Sequence, residues 1–109
     1  MSKERKNKIL YVCRDRNLVD PSTSTELNLI YAAYAEGNDV SILDPGDFYV
    51  KSGELYGITK RPNAEKINSL EAYAGYLEDE KYTLFETLPL KNFEIIFSRV
   101  AYRDNGPEE

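Results

Sequence analysis

The sequence predicts an α/β domain with a mostly parallel sheet, flanking helices and a β-hairpin. Three observations predict it. Two short apolar runs, KILYVC and DVSIL, bracket one amphipathic stretch, with short joints between them. A Ser-Gly pair separates two further strand-like runs. A last apolar run, NFEIIFS, suits a central parallel position covered on both faces.

The elements follow in order. Lys8 to Cys13 is β-branched and aromatic with charges at both ends, and reads as a buried strand. RDRNLVDP is polar, aspartate-rich and closed by Pro21, so it reads as a loop. In STSTELNLIYAAYAEGN, Leu27, Ile30, Tyr31 and Tyr34 recur at helical spacing. Thr23 and Glu26 match the capping box, in which each side chain satisfies the other end's free amide. Gly37 suits the left-handed position that ends a helix. Asp39 to Leu43 follows at once as a second strand. Strand, helix and strand with short joints make a βαβ unit, whose strands run parallel.

DPGD is turn chemistry. FYVKSGELYGIT reads as a hairpin around Ser52-Gly53. Beyond Pro62, Ile67, Leu70, Tyr73 and Leu77 recur at helical spacing, interrupted by Gly75, so one or two irregular helices are expected. YTLFETLPL reads as a strand ending at Pro89. Of the nine tyrosines, Tyr31, Tyr34, Tyr73 and Tyr76 lie at helical spacings, and most read as core or rim packing with hydroxyls reaching water, or else as an interface.

A length of 109 residues fits one domain: a basic tail over residues 1–7 and a folded unit over 8–109. Net charge is −5, which disfavours nonspecific nucleic-acid binding. No apolar run approaches the roughly 20 residues of a membrane helix. ILYVC is too short for a secretory core. Cys13 is the single cysteine, sits in an apolar run, and reads as packing. Together these lead to the expectation of a cytoplasmic protein. The sequence contains no histidine, which excludes Ser-His-Asp and Cys-His catalysis. Chemistry must come from Arg, Lys, Asp, Glu, Tyr, Ser, Thr or the backbone.

Ligands of open α/β sheets bind beyond the carboxyl ends of parallel strands. The segments leaving such ends offer Arg14, Asp15, Arg16, Asp44, Asp47, Arg99, Arg103 and Asp104. Guanidinium groups there could grip a carboxylate or phosphate with two hydrogen bonds. Alternatively these are solvated loop charges. PSTST at the helix start also fits a phosphate cradle of the flavodoxin kind, although that loop has no glycine.

The order of motifs resembles the N-terminal pre-ATP-grasp domain of bacterial-type glutathione synthetase. Gly46-Asp47-Phe48-Tyr49 follows the second strand, and Ser52-Gly53 makes the hairpin turn. Leu88-Pro89-Leu90, Lys91 to Glu94 and an apolar strand ending in Arg99 follow in order. The resemblance spans nearly the whole chain except residues 68–80. It implies a small Rossmann-like domain that contributes to a γ-glutamylcysteine-like peptide site and to subunit contacts, hence a homo-oligomer. The family's remaining domains, including the ATP-grasp domain, bind ATP and Mg2+, so no cofactor is expected in this chain. On this pattern the chain stops where those domains would begin, and is inactive alone. It is otherwise a free-standing interaction or small-ligand-binding module. The implied substrate-binding residues are Arg99, Asp15, Arg103 and Asp47, with no catalytic residue and no metal ligand. Family members commonly continue Lys-Asp-Pro-Pro after the arginine. Here Val100-Ala101-Tyr102 intervenes before Arg103-Asp104, which leaves the choice between Arg99 and Arg103 open.

Overall fold

The computed structural model describes residues 7–14, 18 and 24–98. The predicted βαβ unit is present. Strand β1 (Lys8–Val12), helix α1 (Thr25–Ala35) and strand β2 (Asp39–Leu43) succeed one another. β1 and β2 pair in parallel, from Lys8 against Asp39 to Val12 against Leu43.

Helix α1 is capped one residue later than expected. The Ser24 hydroxyl accepts the amide of Leu27 at 2.9 Å. Leu27 is fully buried, so its amide cannot turn to water, and the hydroxyl three residues back satisfies it. Thr23 lies outside the described residues, and Glu26 occupies the first turn. At the other end Gly37 has φ +97° and donates to the Tyr34 carbonyl, while Asn38 donates to that of Ala33. These two bonds form a Schellman motif, which fits the role read for Gly37.

After β2, a single 3₁₀ turn (Pro45–Asp47) leads into strand β3 (Phe48–Lys51) and strand β4 (Glu54–Pro62). Ser52 and Gly53 have φ of 55° and 79°, and the two-residue turn needs such positive values to match strand twist. Helix α2 (Leu70–Glu78) is capped by Ser69, whose hydroxyl accepts the Ala72 amide at 3.1 Å. It tolerates Gly75, which stands exposed with open space around it. Ile67 is buried but precedes the helix. Strand β5 (Thr83–Pro89) and strand β6 (Ile95–Ser98) complete the sheet.

The sheet is mixed rather than mostly parallel. β1 pairs in parallel with β2 and with β6. The junctions of β4 with β2, β3 and β5 are antiparallel. The reason is the connection after β2. A parallel return needs a crossover of a dozen residues or more, whereas a three-residue turn and a hairpin reverse the chain at once. β2 and β3 share one edge of β4: Ile42 faces Lys60, whereas Phe48, six residues on, faces Gly57, only three back. The 3₁₀ turn absorbs the difference.

β6 also departs from expectation. It is parallel, but β1 is its one partner strand among the described residues, and Ile96 and Phe97 are 48% and 45% exposed. The central position belongs to β1, whose last four residues are all buried.

Alternation along β1 feeds two apolar clusters. Ile9, Tyr11 and Cys13 join Val40, Ile42, Leu27, Ile30, Tyr73 and Ala74 beneath the helices. Leu10 and Val12 join Leu43 and Phe93 on the opposite face. Both helices therefore cover one face. The other is closed by Phe48, Leu88 and Leu90. Cys13 is buried, as expected for packing. No helix among the described residues is long and apolar enough to cross a membrane.

The close approach of β4 to β2 needs a glycine. A Cβ on Gly57 would lie 2.8 Å from Leu43 Cδ2 and 3.3 Å from Leu90 Cδ2. Leu43 is fully buried and has little room to yield. Gly57→Ala is therefore expected to destabilise the domain by about 1–3 kcal/mol, as overpacking does. A urea titration showing an unchanged midpoint would contradict this.

Candidate functional site

Ser98, Val12 and Leu43 stand abreast in the sheet, which aligns the carboxyl ends of β6, β1 and β2. The Cys13 amide donates to the Leu43 carbonyl at 3.0 Å and carries the ladder one residue beyond β1. Arg14 follows and is exposed. Asp15, Arg16, Arg99, Arg103 and Asp104 lie outside the described residues.

Two predicted loop carboxylates, Asp44 and Asp47, lie among the described residues, and both border one cavity. Asp44 accepts the Gly46 amide at 2.9 Å through its side chain, and its carbonyl accepts the Asp47 amide at the same distance. It builds the turn. Asp47 is exposed and borders a cavity of about 390 Å³ at the carboxyl end of β2. Ile42, Ile58 and Phe85 give that cavity an apolar wall, and Lys60 and Glu78 stand at it as well. Asp44, Asp47, Glu78 and Glu80 outnumber Lys60, so the resolved rim is acidic. That rim suits an ammonium group. An anionic group would need the arginines that sequence alone assigns here. Among the described residues, no three metal-ligating side chains gather to hold an ion.

A larger cavity lies at the opposite ends of the strands and was not foreseen. It measures about 660 Å³ and is bordered by Lys8 and Asp39, the first residues of β1 and β2, and by Arg61 at the end of β4. Arg61 binds Asp39 at 2.6 Å and Glu86 at 3.6 Å. Nothing in the sequence links Arg61 to Asp39 across 22 residues; the antiparallel return of β4 alongside β2 brings them together.

Tyr34 and Tyr73 also line this cavity. Their ring centroids lie 5.1 Å apart, and Tyr31 packs edge-on against Tyr73 at 5.6 Å. The Tyr34 hydroxyl accepts the Ile67 amide at 2.9 Å. Tyr73 is fully buried, and its hydroxyl has no hydrogen-bond partner among the described residues. The expectation of hydroxyls reaching water therefore fails at Tyr73. Burial pushes its phenol far above the ordinary value, Tyr34 adds to the rise, and Arg61 opposes it.

Fold and cavities define a small mixed α/β domain with polar clefts at both ends of its parallel strands. No model of a known protein family matches the sequence, and no curated protein matches it.

The Tyr73 hydroxyl gives two expected outcomes. An unpartnered buried hydroxyl costs about 1–3 kcal/mol, so Tyr73→Phe should raise the melting temperature. A fall would mean that the hydroxyl is satisfied. The second concerns pH. A phenol raised on folding contributes stability that is complete below the unfolded value of about 10 and is lost as pH rises further. Above about pH 10 stability should fall, and it should fall less in Tyr73→Phe. Urea unfolding at several pH values above 10 is the measurement; equal slopes of stability against pH in both proteins would refute it.

Proposed function

We propose that this chain is the substrate-binding and assembly domain of a glutathione synthetase-like ATP-grasp ligase, with a small Rossmann-like, pre-ATP-grasp architecture. Full-length enzymes of that kind join γ-glutamylcysteine to glycine at the expense of ATP. On this reading ATP and Mg2+ belong to an ATP-grasp domain or partner chain, and this domain supplies peptide-binding groups rather than catalytic ones.

The observation that carries the reading is the agreement between motif order and element order. Gly46-Asp47-Phe48-Tyr49 runs from the 3₁₀ turn into β3, and Ser52-Gly53 forms the hairpin turn. Leu88-Pro89-Leu90 closes β5. β6 lies beside β1 with its carboxyl end level with that of β2, and Arg99 is the next residue in sequence. The parallel triplet β2-β1-β6 supports the Rossmann-like assignment. A γ-glutamyl peptide has one ammonium and two carboxylates. Asp47 and Glu78 suit the ammonium; Arg99 or Arg103, with Asp15 near the first strand's loop, is assigned to the rest by resemblance.

A second reading is a free-standing interaction module. It is favoured by the sheet face that no described helix covers, where Val50, Leu55 and Ile96 are exposed. Such apolar patches commonly find partners, and a second copy is the simplest. Sedimentation should then show a dimer that Val50→Lys dissociates; a monomer at high concentration would argue against it.

Calorimetric titration with γ-glutamylcysteine tests the ligase reading. Arg99→Ala should weaken binding by roughly 2–4 kcal/mol, as loss of a charge-assisted pair does. Asp47→Asn should weaken it by about 1–3 kcal/mol. Loss of binding in Arg103→Ala but not Arg99→Ala would move the role to the later arginine. No binding by the unaltered protein would remove the peptide-site assignment.

A further inference from the structure

Strand β5 is a free edge. β4 is its one partner strand among the described residues, and the two pair without a bulge from Tyr56 against Pro89 to Pro62 against Thr83. The Asn63 amide continues the register by donating to the Tyr82 carbonyl at 2.9 Å. Antiparallel pairs alternate between bonded and unbonded. Leu84, Glu86 and Leu88 therefore turn their backbone groups to β4, and Thr83, Phe85 and Thr87 turn theirs outward. The Thr83 amide is taken by the Glu80 carbonyl. The Thr83 carbonyl and both backbone groups of Phe85 and Thr87 are left facing away from the sheet. Phe85, Glu86 and Thr87 are exposed, so no described element covers this row.

Exposed edges are usually guarded by lysine, proline, a bulge or a short length. β5 has seven residues, no lysine, and a proline only at its last position. Its one charge, Glu86, is drawn back across the ladder to Arg61 at 3.6 Å. β3 and β6, the other strands with a single described partner, have four residues each. An unguarded edge of this kind is the template of strand addition, where main-chain bonds supply affinity and flanking side chains supply selectivity. Here the flanking charge selects. Glu78, Asp79 and Glu80 lead into the strand, Glu86 lies within it, and Asp44 and Asp47 stand across the cavity that Phe85 borders. These acids outnumber Lys60, Lys81 and Arg61, and Arg61 is also held by Asp39. A second copy laid on this edge would set acids against their own kind, which is destabilising. A basic segment would not. Phe85, 49% exposed, offers a ring of the sort that β-branched side chains pair with across strands.

We propose that the outer edge of β5 takes an extended peptide segment of a partner protein, rich in lysine or arginine and in β-branched residues, as an added strand. Such binding is independent of the ligase reading, because a γ-glutamyl dipeptide is too short to span Thr83 to Thr87.

The probe is an acetylated, amidated hexapeptide of alternating lysine and valine, titrated into the whole chain and followed by amide hydrogen exchange. In the free protein the Phe85 and Thr87 amides should exchange rapidly, and those of Leu84 and Glu86 slowly. The peptide should slow Phe85 and Thr87 at saturable concentration and leave Leu84 and Glu86 as they were. The matching peptide of glutamate and valine should bind about tenfold more weakly. Thr87→Pro removes one outward donor and leaves the β4 ladder intact, since proline is tolerated where its nitrogen faces away from the sheet. It should weaken the lysine peptide about tenfold. Glu80→Lys, at an exposed position, should weaken it about threefold. The proposal is overturned if the lysine peptide fails to slow these amides, if the glutamate peptide slows them equally well, or if both variants bind as the unaltered protein does. Protection of Phe85 and Thr87 without peptide, in a protein that sediments as a dimer, would overturn it too by giving the edge to a second copy.

Discussion

Strand β1 is the constraint on which the structure depends. Among the described residues it alone is paired on both sides in parallel, and its side chains alternate between both apolar clusters. A central parallel strand has no face that tolerates polar groups, which is why Ile9 through Cys13 is apolar without interruption. Everything else is placed relative to it. α1 lies on the Ile9–Tyr11 face because the βαβ unit returns the chain to a parallel neighbour. Phe93 closes the Leu10–Val12 face from the β5–β6 connection. At the edge, the Tyr11 and Phe97 rings stack at 5.0 Å and fasten β6 to the centre.

The antiparallel half is a different solution to the same problem. Once β2 ends, the Asp44 cap and the 3₁₀ turn reverse the chain in a few residues. β4 then lies against both β2 and β3, and Gly57 permits the contact that a side chain would block. The long β4–β5 ladder, from Tyr56 against Pro89 to Pro62 against Thr83, supplies a surface on which α2 rests. Thr83 ties that ladder to the helix, its hydroxyl reaching the Tyr76 carbonyl at 2.7 Å.

The two cavities follow from this division. One end of the sheet collects strand carboxyl ends, loop acids and an apolar wall from β4 and β5. The other collects the starts of β1 and β2 and the far end of β4, where Arg61 meets Asp39. The first site was partly legible: the rule that ligands bind beyond parallel carboxyl ends pointed to Asp47, which does border a cavity. It did not show that Asp44, which borders the same cavity, also caps the turn, because that bond depends on the backbone path after β2. The second site was not legible at all, since its residues come from β1, α1, β2, β4 and α2.

By itself the sequence determined the local elements. Hydrophobic spacing marked α1 and gave β2 its bounds, Gly37 and Ser52-Gly53 fixed the chain reversals through positive φ, and Pro89 marked the end of β5. These are decided by a few neighbouring residues, so they can be read locally. Tertiary structure decided what depends on distant partners. It chose Ser24 over Thr23 as the cap, because Leu27 is buried. It made β6 an edge rather than a centre, because an apolar run states that a strand is buried without stating by what. It turned a mostly parallel sheet into a mixed one, because strand direction is set by the length and path of the connections. It sealed the Tyr73 hydroxyl away from water, because helical spacing places a ring on a face and only the packing of α2 against α1 decides how deeply it goes.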